Sequence, residues 1–220
     1  MNPPVRAVLF DLDGTLIDSI ELIVASFRYT HRTHFGTDRP DEFWIRGIGR
    51  PLRDQLGDVA ESREELQTLL DIYRTYNLEH HDRMARPYVG AVETVRRLAE
   101  RGTPLALVTS KLRIGAERGL RLLGLEDEFP VRVCADDVTR GKPDPMPVHL
   151  ALEQLRANPR ETVFVGDSPH DMEAGRRAGV QTAAASWGPF EESVLREHAP
   201  TYWLAHIEEV LPLVTRSASR

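Results

Sequence analysis

Val5-Arg6-Ala7-Val8-Leu9-Phe10-Asp11-Leu12-Asp13-Gly14-Thr15 decides the fold: an apolar run, partly β-branched, that stops on two aspartates and a glycine. A short apolar run bounded by turn-forming residues reads as a buried strand. Four more such runs follow, at residues 104–108, 131–134, 162–165 and 180–186. Helical patterns separate them, at residues 91–101, 114–123, 147–156 and 171–178. Parallel strands need crossover connections of this kind, so the chain reads as an open α/β sheet.

One interval breaks the alternation. Between residues 19 and 86 there is no convincing strand, only helical patterns at residues 20–35 and 63–80. Structureless loops beyond about 15 residues are uncommon, so this stretch is expected to be an inserted helical cap of about 65 residues. Its return point, Arg86-Pro87-Tyr88-Val89-Gly90, carries the proline and glycine of a boundary. The expected division is a core of residues 1–18 and 87–220 and a cap of residues 19–86. Residues 216–220 are expected to be a frayed tail.

Composition narrows the function. The 220 residues carry 28 Lys+Arg against 34 Asp+Glu, a formal charge of −6 that disfavours broad electrostatic capture of nucleic acid polymers or anionic membranes. The single cysteine, Cys134, permits no intrachain disulfide and no thiolate cluster, and is expected to be a core thiol. The first ten residues do not read as a signal peptide, and no run approaches the roughly 20 apolar residues that span a bilayer. A soluble, cytoplasmic protein is expected.

In open α/β sheets, ligands bind beyond the carboxyl ends of the strands. Four strand ends carry chemistry here: Asp11-Leu12-Asp13-Gly14-Thr15 after the first, Thr109-Ser110-Lys111 after the second, Lys142 in Gly141-Lys142-Pro143 beyond the third, and Gly166-Asp167-Ser168-Pro169-His170-Asp171 at the fourth. Each is ordinary alone: two solvated aspartates, a threonine closing a strand, a loop lysine, an acidic residue at a helix start. Gly14 permits a sharp turn after the strand, and Thr15 can order the same loop through its hydroxyl.

Taken in order, these segments resemble the four motifs of the haloacid dehalogenase superfamily, along nearly the whole chain. The resemblance implies a Rossmann-like core with an inserted cap and a covalent phosphoryl-transfer chemistry. Asp11 would be the nucleophile that becomes an aspartyl phosphate, and Asp13 the acid and then base. Thr109 would bind a phosphoryl oxygen with Ser110 beside it, and Lys142 would lie between the phosphate and Asp11. Mg²⁺ would be held by Asp11, the main-chain oxygen of Asp13, and Asp167, with Asp171 ordering its waters or the lysine. A carboxylate can attack a dianionic phosphate only when their repulsion is offset, and a hard cation with oxygen ligands does that.

The cap position resembles that of the phosphoglycolate phosphatase and β-phosphoglucomutase branch, and Gly47-Ile48-Gly49-Arg50 resembles its substrate-specificity loop. Arg50 is thus a candidate contact to a second anionic group; a solvated surface arginine is the competing reading. Asp13 favours phosphoryl transfer, since dehalogenases that attack carbon lack an acid there. Asp-Gly-Thr leans towards hydrolysis over a mutase outcome. The expected substrate is a small soluble phosphomonoester, 2-phosphoglycolate first, with inorganic pyrophosphate the nearest rival and sugar phosphates or nucleotides open. A non-catalytic phosphate-binding protein of the same fold would lack a motif carboxylate or the lysine, and none is missing.

Other residues are assigned structural places. His80-His81 and His170 are expected to be solvated surface histidines, since no spacing joins three with a carboxylate. Asp136-Asp137 are expected to cap a turn or helix. Trp44 could line the substrate entrance, while Trp187 and Trp203 are expected to pack the sheet edge and tail.

Overall fold

The computed structural model describes residues 2–215; the expected frayed tail, residues 216–220, lies outside them. Six strands form one parallel sheet in the order β5-β4-β1-β6-β7-β8. They are β1 (Ala7–Phe10), β4 (Leu105–Val108), β5 (Val131–Val133), β6 (Thr162–Gly166), β7 (Gln181–Ala185) and β8 (Tyr202–Leu204). The first of these is central, paired with β4 on one side and β6 on the other. Strand side chains alternate between faces. Val8, Phe10, Leu105, Leu107, Val163 and Val165 therefore fill one core layer, while Leu9, Ala106, Val108 and Phe164 fill the other.

Helices cover both faces. On the first lie α5 (Ala91–Glu100) and α6 (Arg113–Leu123), which bury Val95, Leu98, Ala116 and Leu120. On the second lie α7 (Met146–Leu155) and α8 (Pro169–Ala178), which bury Val148, Ala151, Ala174 and Ala178. The edge strand β8 was not among the sequence expectations, and neither was the short α9 (Glu192–Arg196) before it. Trp203 stands on that edge strand with the Arg196 guanidinium 4.6 Å from its ring.

Between β1 and α5 the chain leaves the sheet through a two-residue strand, β2 (Ile17–Asp18), and returns through β3 (Arg86–Pro87). These pair antiparallel, Ile17 opposite Pro87 and Asp18 opposite Arg86. Four helices lie between them: α1 (Ile20–Phe35), α2 (Asp41–Ile45), α3 (Leu52–Gly57) and α4 (Arg63–Met84). α1 stops at Gly36, whose φ of 69° is left-handed. α4 starts at Ser62, which accepts a bond from the Glu65 N–H.

The four helices share a core of Phe27, Trp44, Leu56, Leu69, Leu70 and Tyr73. Trp44 is 2 % exposed and stacks on Phe27 with ring centroids 4.7 Å apart. It packs the cap interior rather than the entrance expected for it. No helix of the described residues is long and apolar enough to cross a membrane.

Candidate active site

The strand ends bring the motif residues together because the backbone ladder continues past them. The Asp11 N–H donates to the Val165 carbonyl at 3.0 Å, and the Thr109 N–H to the Val133 carbonyl at 2.9 Å. Asp11, Thr109, Lys142, Asp167 and Asp171 are all buried, none more than 4 % exposed. Lys142 Nζ lies 3.0 Å from Asp11 Oδ1 and donates to Asp171 Oδ1 at 2.6 Å. Of the two expectations for Asp171, the structure places it on the lysine. Its other oxygen accepts from the Ser168 N–H at 3.0 Å and the Ser168 hydroxyl at 2.5 Å, closing a capping box at the start of α8.

Three carboxylates, Asp11, Asp167 and Asp171, offer oxygens within 4.8 Å of one another. Burial, opposed by Lys142 and reinforced by the Asp171 charge, raises the Asp11 carboxyl to about 7. Burial and the Asp171 and Asp11 charges likewise raise Asp167 well above its usual range. Asp167 Oδ2 is shielded from solvent without a hydrogen-bond partner, and Asp11 Oδ1, equally shielded, has only the Lys142 ammonium beside it. Buried acceptors in that state cost free energy unless a cation or donor reaches them. The all-oxygen donor set fits a hard divalent cation.

Second contacts hold these groups in place. The Thr15 hydroxyl donates to Asp167 Oδ1 at 2.7 Å, and the Trp187 indole N–H donates to the Thr15 carbonyl at 3.0 Å. Trp187 therefore braces the site loop, a role beyond the edge packing expected of it. Gly14 has φ +84°, and a Cβ there would lie 2.3 Å from Asp167 Oδ2. Only glycine lets the two loops approach so closely.

Asp13 has partners that its sequence position does not announce. Its Oδ1 accepts from the Ser19 hydroxyl at 2.5 Å and from Lys111 Nζ at 2.7 Å. Burial acts to raise this carboxyl, but the Lys111 charge and hydrogen bond, with the Ser19 hydroxyl, hold it below its ordinary value. Lys111 was quoted only as the tail of the second motif; its contact bridges 98 positions of sequence.

Between cap and core lies a cleft of about 740 Å³, with Asp11, Asp13, Thr109, Lys111 and Lys142 on the core side and Arg50, Tyr73 and Arg74 on the cap side. The cap loop is seated on the core: the Ser110 hydroxyl donates to the Gly49 carbonyl at 2.6 Å, and a Cβ on Gly49 would lie 2.4 Å from Ser168 Oγ. Ser110, expected beside the phosphate, thus spends its hydroxyl on the cap. Arg50 lines the cleft, but its guanidinium is paired with Asp58 at 2.8 and 3.3 Å.

The remaining residues divide. Asp136 accepts from the Arg113 N–H at the start of α6, and Asp137 from the Cys134 N–H, the capping roles expected of them. Cys134 is buried, and burial pushes its thiol up to about 12, as suits an inert core cysteine. The surface reading of His81 is wrong: it is 0 % exposed at the end of α4, with Nδ1 2.9 Å from Asp82 Oδ1. The core residue Arg118 clasps Asp82 through Nε and Nη2, each at 2.9 Å, and covers this corner. His170 is also drawn inward, with its Nε2 shielded and unpartnered.

The chain is 40% identical over 210 residues to "Pyrophosphatase PpaX" of Halalkalibacterium halodurans, covering 96% of this chain and 97% of that one. Among solved structures, a haloacid dehalogenase-like family hydrolase from Streptococcus pneumoniae matches with a TM-score of 0.80 at 27% identity, over 94% of this chain and 97% of that one. A predicted phosphoglycolate phosphatase from Haemophilus somnus matches with a TM-score of 0.85 at 22% identity, over 95% and 97%. The pattern of the haloacid dehalogenase-like hydrolases matches residues 8–185, and with it the sheet, the inserted helices and the four strand-end motifs fall into place: the chain belongs to that family.

Proposed function

We propose that the protein is a Mg²⁺-dependent phosphohydrolase of a small soluble phosphorylated metabolite, working through an aspartyl phosphate on Asp11. The observation that carries this is the buried cluster in which Lys142 touches both Asp11 and Asp171 while Asp167 Oδ2 stays without a donor. Mg²⁺, held by Asp11, the Asp13 main-chain oxygen and Asp167, would offset the charge between the nucleophile and the phosphoryl group. Lys142 holds the Asp11 carboxylate in position, and Thr109 offers its hydroxyl to a phosphoryl oxygen. Attack by an Asp11 oxygen forms the O–P bond while the bond to the leaving oxygen breaks, and Asp13, which must enter this step protonated although Lys111 lowers its pKa in the free protein, gives that oxygen its proton. Asp13 then takes a proton from water, whose oxygen attacks phosphorus, releasing inorganic phosphate and restoring Asp11.

For the substrate, the 40% identity to a pyrophosphatase along 97% of its length favours inorganic pyrophosphate, ahead of the 2-phosphoglycolate expected from the motifs. The leaving group is then a second orthophosphate. The test is phosphate release with Mg²⁺, with chelator and with Asp11→Asn, followed by kcat/KM for pyrophosphate, phosphoglycolate, sugar phosphates and nucleotides. Equal inertness of folded wild type and Asp11→Asn ends the enzymatic reading. A preference for phosphoglycolate above about tenfold, or 1.4 kcal/mol, reverses the substrate order.

A further inference from the structure

We propose that Arg74, on the cap helix α4, reads a negatively charged group of the substrate remote from the phosphorus that Asp11 attacks. The inference rests on the phosphohydrolase reading and assigns it a substrate class: compounds with two anionic groups a short distance apart, such as a diphosphate or a phosphorylated carboxylate.

The cations around the cleft are not equivalent. Lys142 is committed to Asp11 and Asp171, Lys111 to Asp13, Arg50 to Asp58, Arg140 to Asp144 and Arg177 to Glu173. Among the described residues, no carboxylate comes within 4.0 Å of Arg74 or Arg53, the other two arginines of the cap wall. Arg53 is exposed and solvated, whereas Arg74 is half-buried, with Nε shielded from solvent and bonded to nothing. With its neighbours Tyr73 and Asn77 it lines the same cleft as Asp11 and Asp13, so this turn of α4 faces the space in which the reacting groups lie.

A guanidinium held partly out of water without a counter-anion leaves a desolvation cost uncompensated, and a docked anion removes it. Arg50 presents the opposite case. An incoming anion gains at Arg50 only by displacing or sharing the two bonds to Asp58, whereas at Arg74 it displaces water alone. The planar fork also suits a phosphate or carboxylate. The cap thus supplies recognition from a side chain that has no structural partner to lose.

The test uses the whole protein with Mg²⁺ and compares pyrophosphate with p-nitrophenyl phosphate, which lacks a second anion. Arg74→Ala should lower kcat/KM for pyrophosphate by about 30-fold or more, a loss at least about tenfold larger than on the aryl ester. Arg74→Lys, which keeps charge without the fork, should recover part of it. Binding of methylenediphosphonate, measured by calorimetry beside inorganic phosphate, should weaken by about tenfold or more in Arg74→Ala. Should that variant melt early, Arg74→Gln keeps most of the stem and takes its place. Equal losses on the two substrates, or unaltered methylenediphosphonate affinity, overturns the proposal. If wild type hydrolyses neither substrate, the phosphohydrolase reading fails, and the methylenediphosphonate measurement still decides Arg74.

Discussion

Replacing Asp11 with asparagine should stabilise the metal-free protein, and the gain should grow with pH. The Asp11 carboxyl is raised from 3.8 to about 7, first by burial and then by the Asp171 charge, against the pull of Lys142. Between those two values the native state binds the proton more tightly than the unfolded chain does. Stability is therefore lost as pH rises through the window, and the full cost is present above it. Three units at 1.36 kcal/mol each give about 4 kcal/mol above pH 7, of which about 2–3 kcal/mol accrues between pH 5 and 8. Asparagine does not titrate and keeps the shape, so the variant escapes this cost while giving up part of its attraction to Lys142. A net gain of ~2–4 kcal/mol corresponds to roughly 4–16 °C in a chain of this size. The assay is thermal or urea unfolding of both proteins in chelator from pH 5 to pH 8. Saturating Mg²⁺ should reverse the order, because only wild type keeps the full ligand set and gains by mass action. A variant-minus-wild-type difference in chelator that is flat or negative across this range refutes the account.

Two further outcomes follow from the same geometry. Lys111→Met removes the ammonium from Asp13 and should lower kcat/KM by about tenfold to a hundredfold; a change below about twofold removes Lys111 from the site. Gly14→Ala combines a left-handed backbone with a methyl group driven into Asp167, so it should cost about 1–3 kcal/mol and weaken Mg²⁺ binding about tenfold or more, read by calorimetry and melting. Unaltered Mg²⁺ affinity in that variant would show that the two loops yield without loss.

The sheet and the floor of the site were legible because they are local. Three of the buried runs end directly on their motifs and Lys142 follows a fourth by a short stretch, so one linear reading locates Asp11, Thr109, Lys142 and Asp167, and the parallel topology does the rest. What stayed hidden depends on partners distant in sequence. Lys111 meets Asp13 across 98 positions, and Arg118 covers His81 through Asp82 across 36. A histidine amid polar neighbours gives no sign that another helix will bury it. Arg50 looked free for the same reason: nothing in Gly47-Ile48-Gly49-Arg50 shows that Asp58 will pair with it. The strand Tyr202–Leu204 escaped because it is short, half-buried and without the β-branched residues that marked the equally short β5, and its pairing with β7 alone defines it.

The antiparallel pair of Ile17–Asp18 with Arg86–Pro87 has a consequence for how such a molecule can change over time. Because the two crossing points sit side by side, the sheet experiences the whole excursion between them as a single closed loop. Loop closure costs only about 0.6 kcal/mol more for each doubling of length, so a longer, shorter or rebuilt excursion burdens the sheet little. On the proposed reading, the reacting groups lie on the sheet side of the crossings and the arginines that would read the substrate on the other. Selectivity can then drift by exchanging everything between the two crossings, while Asp11, Lys142 and Asp167 keep their places.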